Sequence, residues 1–262
     1  MEWIKAISYT VENMKIHPAG EIVITSYSPF YYYQNPIPEE IATAVLAGAK
    51  GIRPLYIHTL FLSLRFPDEL CQFANHFGLP YYRSNGTESG FEVQDIEISI
   101  PVKEIFNEIK ALRLLLSFFH AAEQKNIEQL KDLYPEVTEN EIITGKISNI
   151  PSWEVYDNED ILLSARNLIS EALSSTLEGV SPSFEYDQDT PPAIDWNCKN
   201  LLSAIYLMVS LDMAEGKAPL FCQNDLCGRV FSPSKGVVRY CSQTCQTRVK
   251  ARKYKQRKKK ED

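Results

Sequence analysis

Apolar residues change their spacing several times along the chain, and each change marks an expected element. Between Glu21 and Tyr27, Ile22 and Ile24 share one face and Val23 the other, the two-residue period of a strand. Pro38, Glu39 and Glu40 open a helix that Gly48 and Gly51 close, and Pro67, Asp68 and Glu69 open another that Gly78 and Pro80 end. Phe91–Ile100 alternates but slips phase between Val93 and Ile96, which predicts a bulge or two short strands. Helical spacing then takes over. Val102, Ile105, Phe106, Ile109, Leu112, Leu116 and Phe119 keep it, as do Ile161, Ala165, Leu168, Ile169, Ala172 and Thr176 up to Gly179. Ser181–Pro192, with three prolines and three acids, reads as a linker. Leu201, Ile205, Met208 and Leu211 mark a last helix ending near Gly216. No internal repeat is visible. The expected fold is mainly α with a small β element, an α-rich body over residues 1–216 followed by a separate module over 217–262.

A chain of 262 residues with 44% hydrophobic and 23% charged residues has ordinary globular composition, which excludes a mostly disordered, collagen-like or coiled-coil protein. The net charge of −7 conceals a split. Residues 217–262 hold 13 Lys/Arg against three acids, a net of +10, leaving 14 basic and 31 acidic residues and a net of −17 for 1–216. An acidic body therefore carries a basic tail. The start, Met-Glu-Trp-Ile-Lys, has neither the basic stretch nor the apolar run of a secretory signal. Leu201–Leu211, the longest helix-like apolar stretch, falls well short of the ~20 residues needed to span a bilayer. The expected location is cytoplasmic, with no membrane partner.

Four of the six cysteines lie in the basic module, as Cys222-x4-Cys227 and Cys241-x3-Cys245. In a reducing compartment such pairs bind metal more often than they form disulfides. Two close pairs across a short hairpin supply the four soft ligands of a tetrahedral Zn²⁺ site. Gly228–Tyr240 suits that hairpin, with Val230 and Phe231, a turn at Pro233–Gly236, then Val237, Val238 and Tyr240. Its apolar residues are too few for a core unaided, so one structural zinc would complete the unit. Cys241 and Cys245, at i and i+4, are expected on one face of a first helical turn, where the helix dipole favours thiolates. The order predicts a treble-clef or ribbon-like zinc finger.

The helix after the cysteines is basic on every side. Arg248, Arg252, Lys255 and Lys259 fall within about 60° of one another, and Lys250, Lys253, Arg257 and Lys260 fill the opposite side. Such a helix has no stripe to bury and is best matched by a polyanion whose phosphates offset its self-repulsion. The expected nucleic-acid contacts are Arg248, Lys250, Arg252, Lys253, Lys255, Arg257 and Lys259; the plainer alternative is a solvated tail.

Leu220–Lys259, with Phe-Cys-x4-Cys-Gly-Arg-Val-Phe, then Arg-Tyr-Cys-Ser-x2-Cys and an Arg/Lys run, resembles the CGNR-type zinc fingers that end bacterial proteins of similar size. Phe73–Leu79 and the Leu201–Ala214 helix are similar to the helical body of such proteins. The resemblance implies a finger that binds DNA and a body that senses stress or a ligand in a transcription regulator. The signature Cys-Gly-Asn-Arg here reads Cys245-Gln246-Thr247-Arg248, so Cys245 and Arg248 carry over while the Gly and Asn do not.

Other clusters read as structure. The aromatic run Tyr27, Phe30, Tyr31, Tyr32 and Tyr33 suits core and turn packing, with base stacking the sharper alternative. His58, His76 and His120 stand at no metal spacing, Cys71 and Cys198 read as packing thiols, and Asn85-Gly86-Thr87 as a turn. Glu136, Glu139, Glu141, Asp187 and Asp189 read as solvated loop acids. No nucleotide-binding, nucleophile-elbow or zinc-protease motif is present, and residues 217–262 contain no histidine for a nuclease. The expected protein is not an enzyme. It binds zinc and nucleic acid, DNA first, as a transcriptional regulator whose body responds to a small molecule or protein. The alternative is a protein-interaction module with a structural zinc and no sequence readout.

Overall fold

A computed structural model of the chain describes residues 21–24, 45–46, 56–77, 80, 98–153, 156–185, 193–198, 200–233 and 239–261. In chain order these form β1 (Glu21–Ile24), α1 (Ile57–Leu62), α2 (Pro67–Phe77), β2 (Ile98–Pro101), α3 (Val102–Glu123), α4 (Ile127–Thr138) and α5 (Glu141–Thr144). They continue with α6 (Asn158–Thr176), β3 (Ser181–Glu185), β4 (Ala193–Asn197), α7 (Leu201–Ala214), β5 (Leu220–Phe221), β6 (Val230–Phe231) and α8 (Gln243–Glu261). The fold is mainly α, as the sequence predicts, with three antiparallel strand pairs among the described residues. Two compact units emerge: Met1–Tyr32 with Phe77–Leu207, and Tyr33–His76 with Met208–Asp262.

The first unit is organised by α3, which packs on α4, α5 and α6. Its expected stripe is largely inside: Ile105, Ile109, Leu112 and Leu116 are buried, and Ile161, Ala165, Leu168, Ile169 and Ala172 of α6 are buried likewise. Full burial of each large aliphatic side chain contributes about 1.5–3 kcal/mol. Trp153 stacks on Tyr134 at 4.0 Å and on Phe118 at 5.8 Å between ring centroids, while its indole N–H donates to Ser164 at 2.8 Å. Tyr206 is fully buried and donates to Glu108 at 3.1 Å, while the Lys146 ammonium donates to the Tyr206 oxygen at 3.1 Å. Burial pulls the Lys146 pKa down against the raising effect of Glu108, and burial first, then Glu108, holds Tyr206 well above the usual phenol range.

Two expectations in this unit are corrected. Glu136, Glu139 and Glu141 are exposed but not in a loop: Glu136 lies in α4, Glu139 caps its end and Glu141 opens α5. Asn126 and Asn140 start these helices by accepting backbone N–H bonds from Gln129 and from Ile142 and Ile143. The supposed linker Ser181–Pro192 begins as β3, whose Ser181 lies opposite Asn197 of β4. Pro182 is tolerated because a two-stranded pair consists only of edges, where a missing N–H costs the ladder nothing. β1 pairs with β2, Glu21 opposite Pro101. The remainder of both expected strands, most of the Pro38–Gly48 helix, the Tyr27–Tyr33 cluster, Asp187, Asp189 and Asn85–Thr87 lie outside the described residues.

In the second unit every residue of α1 is buried, which explains why its sequence shows no polar face. Phe61 packs on Phe73 of α2 at 5.5 Å. The Glu69 carboxylate accepts the backbone N–H groups of Arg65 and Phe66 at 2.7 and 3.3 Å and so caps the entry to α2. α7 ends as a Schellman turn: Gly216 sits at φ 68, its N–H donates to Met213, and the Lys217 N–H reaches back to the Asp212 carbonyl at 2.7 Å. No helix among the described residues is long and apolar enough to cross a membrane.

Candidate metal centre

The C-x4-C segment folds as a knuckle. The Cys227 N–H donates to the Asn224 carbonyl at 2.7 Å, and Gly228, at φ 61, turns the chain into β6. β6 pairs with β5, the strand just before Cys222, with Leu220 opposite Phe231 and Phe221 opposite Val230. The Cys222 N–H donates to Arg229 and the Gln223 N–H to Arg239. Thus the described ladder joins the two flanks of the first cysteine pair; residues 234–238, where the sequence places the hairpin turn and its return, lie outside the described residues. The second pair is also placed differently. Cys241 precedes α8, whereas Cys245 occupies its first turn, where the Ser242 hydroxyl caps the Cys245 N–H at 3.2 Å.

These elements bring all four sulfurs of Cys222, Cys227, Cys241 and Cys245 within 4.8 Å of one another. Cys227 and Cys241 are 3.5 Å apart at sulfur, and Cys241 and Cys245 3.7 Å. A tetrahedral zinc with bonds of about 2.3 Å requires sulfurs about 3.8 Å apart, so the cluster fits one Zn²⁺ with no position left for substrate. As bare thiols the four cannot all ionise. Hydrogen bonds from Cys227 and Cys241 draw Cys222 down to about 2, whereas the hydrogen bond to Cys222 pushes Cys227 up to about 11. Hydrogen bonds with Cys222 and Cys227 also push Cys241 upward. Zinc supplies the charge that lets all four become thiolates.

Three residues that the spacing rules do not reveal complete the centre. Buried Asn224 donates from Nδ2 to Cys245 Sγ at 3.4 Å, and its Oδ1 accepts from Arg252 Nη2 at 2.5 Å. Ser63, at the end of α1, accepts the Val230 N–H at 2.9 Å, with its own hydroxyl 3.0 Å from the Val230 carbonyl. Arg65 donates to the Cys227 carbonyl at 2.8 Å. The outer edge of β6 is therefore satisfied by α1 rather than by another strand. Asn224 has a local signal, as a turn-forming residue inside a C-x4-C loop. Ser63 and Arg65 have none, since they stand more than 150 positions away in sequence.

On α8, Cys245, Val249 and Arg252 follow i, i+4, i+7 and form the face turned to the knuckle; Val249 is buried and Arg252 also pairs with Asp225 at 2.6 Å. Arg252 is thereby committed to the centre. Arg248, Lys250, Lys253, Lys255 and Arg257 are exposed, and Lys259 lies further along the same helix.

The remaining chemistry-bearing residues stay outside this centre. His58, 2% exposed, holds Asp212 through Nε2 at 2.9 Å. Cys198 is buried, and burial, then the Asp68 charge, pushes the half-buried Cys71 up to about 11, which leaves it a poor nucleophile.

No curated protein and no solved structure matches the chain. A family model does: residues 221–258 match the CGNR zinc finger. That span holds all four clustered cysteines and the exposed cations through Arg257, so the chain carries a zinc-binding CGNR zinc finger at residues 221–258.

Proposed function

We propose that this finger binds nucleic acid, DNA in preference to RNA, and that the protein is a non-catalytic transcriptional regulator whose helical body responds to a ligand or partner. One observation carries the reading: a helix that begins at the metal centre keeps only Cys245, Val249 and Arg252 for it and leaves Lys250, Lys253 and Arg257 exposed at i, i+3, i+7. These three cations line several turns of one face of a rigid element, the spacing at which a helix follows a phosphate backbone, and Arg248 and Lys255 add exposed charge on its other side. A metal-closed site suits such work, because it fixes the helix without offering a reactive position. Base contacts would come from side chains at the start of α8, where Gln243, Thr244 and Thr247 are exposed.

Titrating the zinc-loaded full chain with duplex DNA, duplex RNA and an acidic protein at matched ionic strength tests the reading. Tightest binding to DNA is the expected result. Tightest binding to the acidic protein makes the finger a protein-interaction module instead.

A further inference from the structure

The first compact unit carries an open groove of about 420 Å³ that zinc chemistry does not use. One wall is α6, where Asp160, Leu163, Asn167 and Glu171 follow i, i+3, i+7, i+11 and form a single stripe down three turns. The other wall is the segment before α6, with Pro151 and Tyr156. That segment is pinned: the Tyr134 hydroxyl donates to the Pro151 carbonyl, and the Trp153 indole N–H takes Ser164 of α6 as its acceptor. The groove is therefore formed before any occupant arrives.

Leu163 is 60% exposed and Tyr156 37%, so two large apolar side chains stand open to solvent along one concavity, together with the buried Leu168. An exposed apolar patch with polar residues at its rim marks a binding surface, whereas an isolated exposed residue does not. Charge stands only at the two ends, and it is acidic. Asp160 and Glu171 lie about 20° apart around the helix and ~16 Å apart along it. No Lys or Arg lines the groove, and Arg166, the one cation of α6, pairs with Glu123 at 3.7 Å instead. Glu171 is held in place: its Oε1 accepts both the backbone N–H and the hydroxyl of Ser148, which leaves Oε2 for another donor. The Asp160 carboxylate and the Asn167 amide have no protein partner among the described residues. At the Asp160 end, Asp157, Glu159 and Asp160 together outweigh the partial positive charge of the helix start.

We propose that this groove binds a linear aliphatic polyamine about as long as spermine, with one terminal ammonium at Asp160, the other at Glu171, and the methylene chain along Leu163 and Leu168. The complementarity is one of order as well as sign: anion, apolar strip, anion on the protein against cation, methylenes, cation on the ligand. A molecule with a single charged end uses half of it, and a short diamine cannot span three helical turns. An inner ammonium of the polyamine meets the Asn167 amide oxygen and lies against the Tyr156 ring, whose face attracts a cation. The site gives the proposed body response a ligand class and rests on that reading for its regulatory meaning.

The test titrates the zinc-loaded full chain, free of nucleic acid, with spermine, with α,ω-diamines of four and twelve carbons, and with a twelve-carbon monoamine. Calorimetry reads affinity and the Leu163 methyl resonances read the place of binding. Spermine and the twelve-carbon diamine, which have the same span, are expected to bind saturably and to move Leu163. The four-carbon diamine and the monoamine are expected to bind about fivefold or more weakly, the loss of one charged end. Asp160→Asn/Glu171→Gln should weaken spermine roughly 10–30-fold. Glu128→Gln/Asp132→Asn, which removes two exposed acids of α4 outside the groove, should leave its affinity near wild type. Leu163→Arg, at an exposed position, puts a cation in the groove and should abolish binding. An unmoved Leu163, affinity indifferent to the spacing of the amines, or equal loss in the two double variants (general attraction to an acidic body) overturns the proposal. Duplex DNA binding, measured on separate samples without polyamine, keeps the two readings apart. Intact DNA binding without a spermine response sinks the groove alone, and a spermine response without DNA binding sinks only the regulatory role.

Discussion

Asn224 holds Cys245 and Arg252 with opposite ends of one amide, its Nδ2 on the sulfur at 3.4 Å and its Oδ1 on the guanidinium at 2.5 Å. A metal ligand and the basic helix are thereby fixed by the same buried side chain. An N–H aimed at a thiolate stabilises its charge and orients it, and such outer partners carry much of a site's affinity.

Asn224→Leu preserves much of the volume and removes both bonds. Zinc affinity is expected to fall about 10–100-fold with stoichiometry still one per chain. Competition against a colorimetric chelator reads this directly, and wild-type affinity would show that Cys245 needs no such partner.

Ser63 closes the outer edge of β6 from α1. Ser63→Ala leaves the buried N–H and carbonyl of Val230 without that partner, at a cost of about 1–3 kcal/mol. Urea denaturation of the zinc-loaded chain should show the loss. The fragment 217–262, which lacks both Ser63 and Arg65, should also bind zinc more weakly than the full chain; equal affinity would mean that α1 contributes nothing to the finger.

Zinc removal should act locally. A chelator, or Cys222→Ser, is expected to collapse the amide resonances of Val230, Cys241 and Cys245 while the Trp153 indole keeps its bond to Ser164. Uptake displaces protons from Cys227 and Cys241, whose thiols lie above their ordinary range, so affinity rises with pH and falls in acid. Calorimetry in buffers of different ionisation enthalpy counts those protons. Zero release contradicts thiolate ligation.

The metal centre was legible in sequence because two cysteine pairs at short spacing match the ligand set of one tetrahedral zinc, and α8 because a run of cations permits few folded partners. Long periodic helices such as α3 and α6 were legible for a similar reason, since many positions repeat one signal. α4 and α5 were not: Leu130, Val137 and Ile143 are too sparse to set a period, and the caps Asn126 and Asn140 were the readable cue. The β3–β4 pair was hidden by prolines that signal a linker and that edge strands accept. Ser63 and Arg65 were invisible because their partners lie far along the chain, and single polar residues beside an apolar run carry no periodicity. The rotation of α8 was legible only in part: charge alone grouped Arg252 with Arg248 and Lys255, whereas its bonds to Asn224 and Asp225 turn it toward the knuckle.

The most direct measurement is the salt dependence of duplex DNA binding by the zinc-loaded full chain, compared with Lys250→Gln/Lys253→Gln/Arg257→Gln. If the exposed side of α8 lies on phosphates, log affinity falls steeply with log salt, and the triple variant flattens that slope by about 2.7, close to 0.9 per neutralised phosphate. Arg252→Gln serves as the control: it should weaken zinc binding while leaving the slope of the zinc-saturated protein near wild type. A triple variant with the wild-type slope, or DNA binding indifferent to salt, would contradict the account.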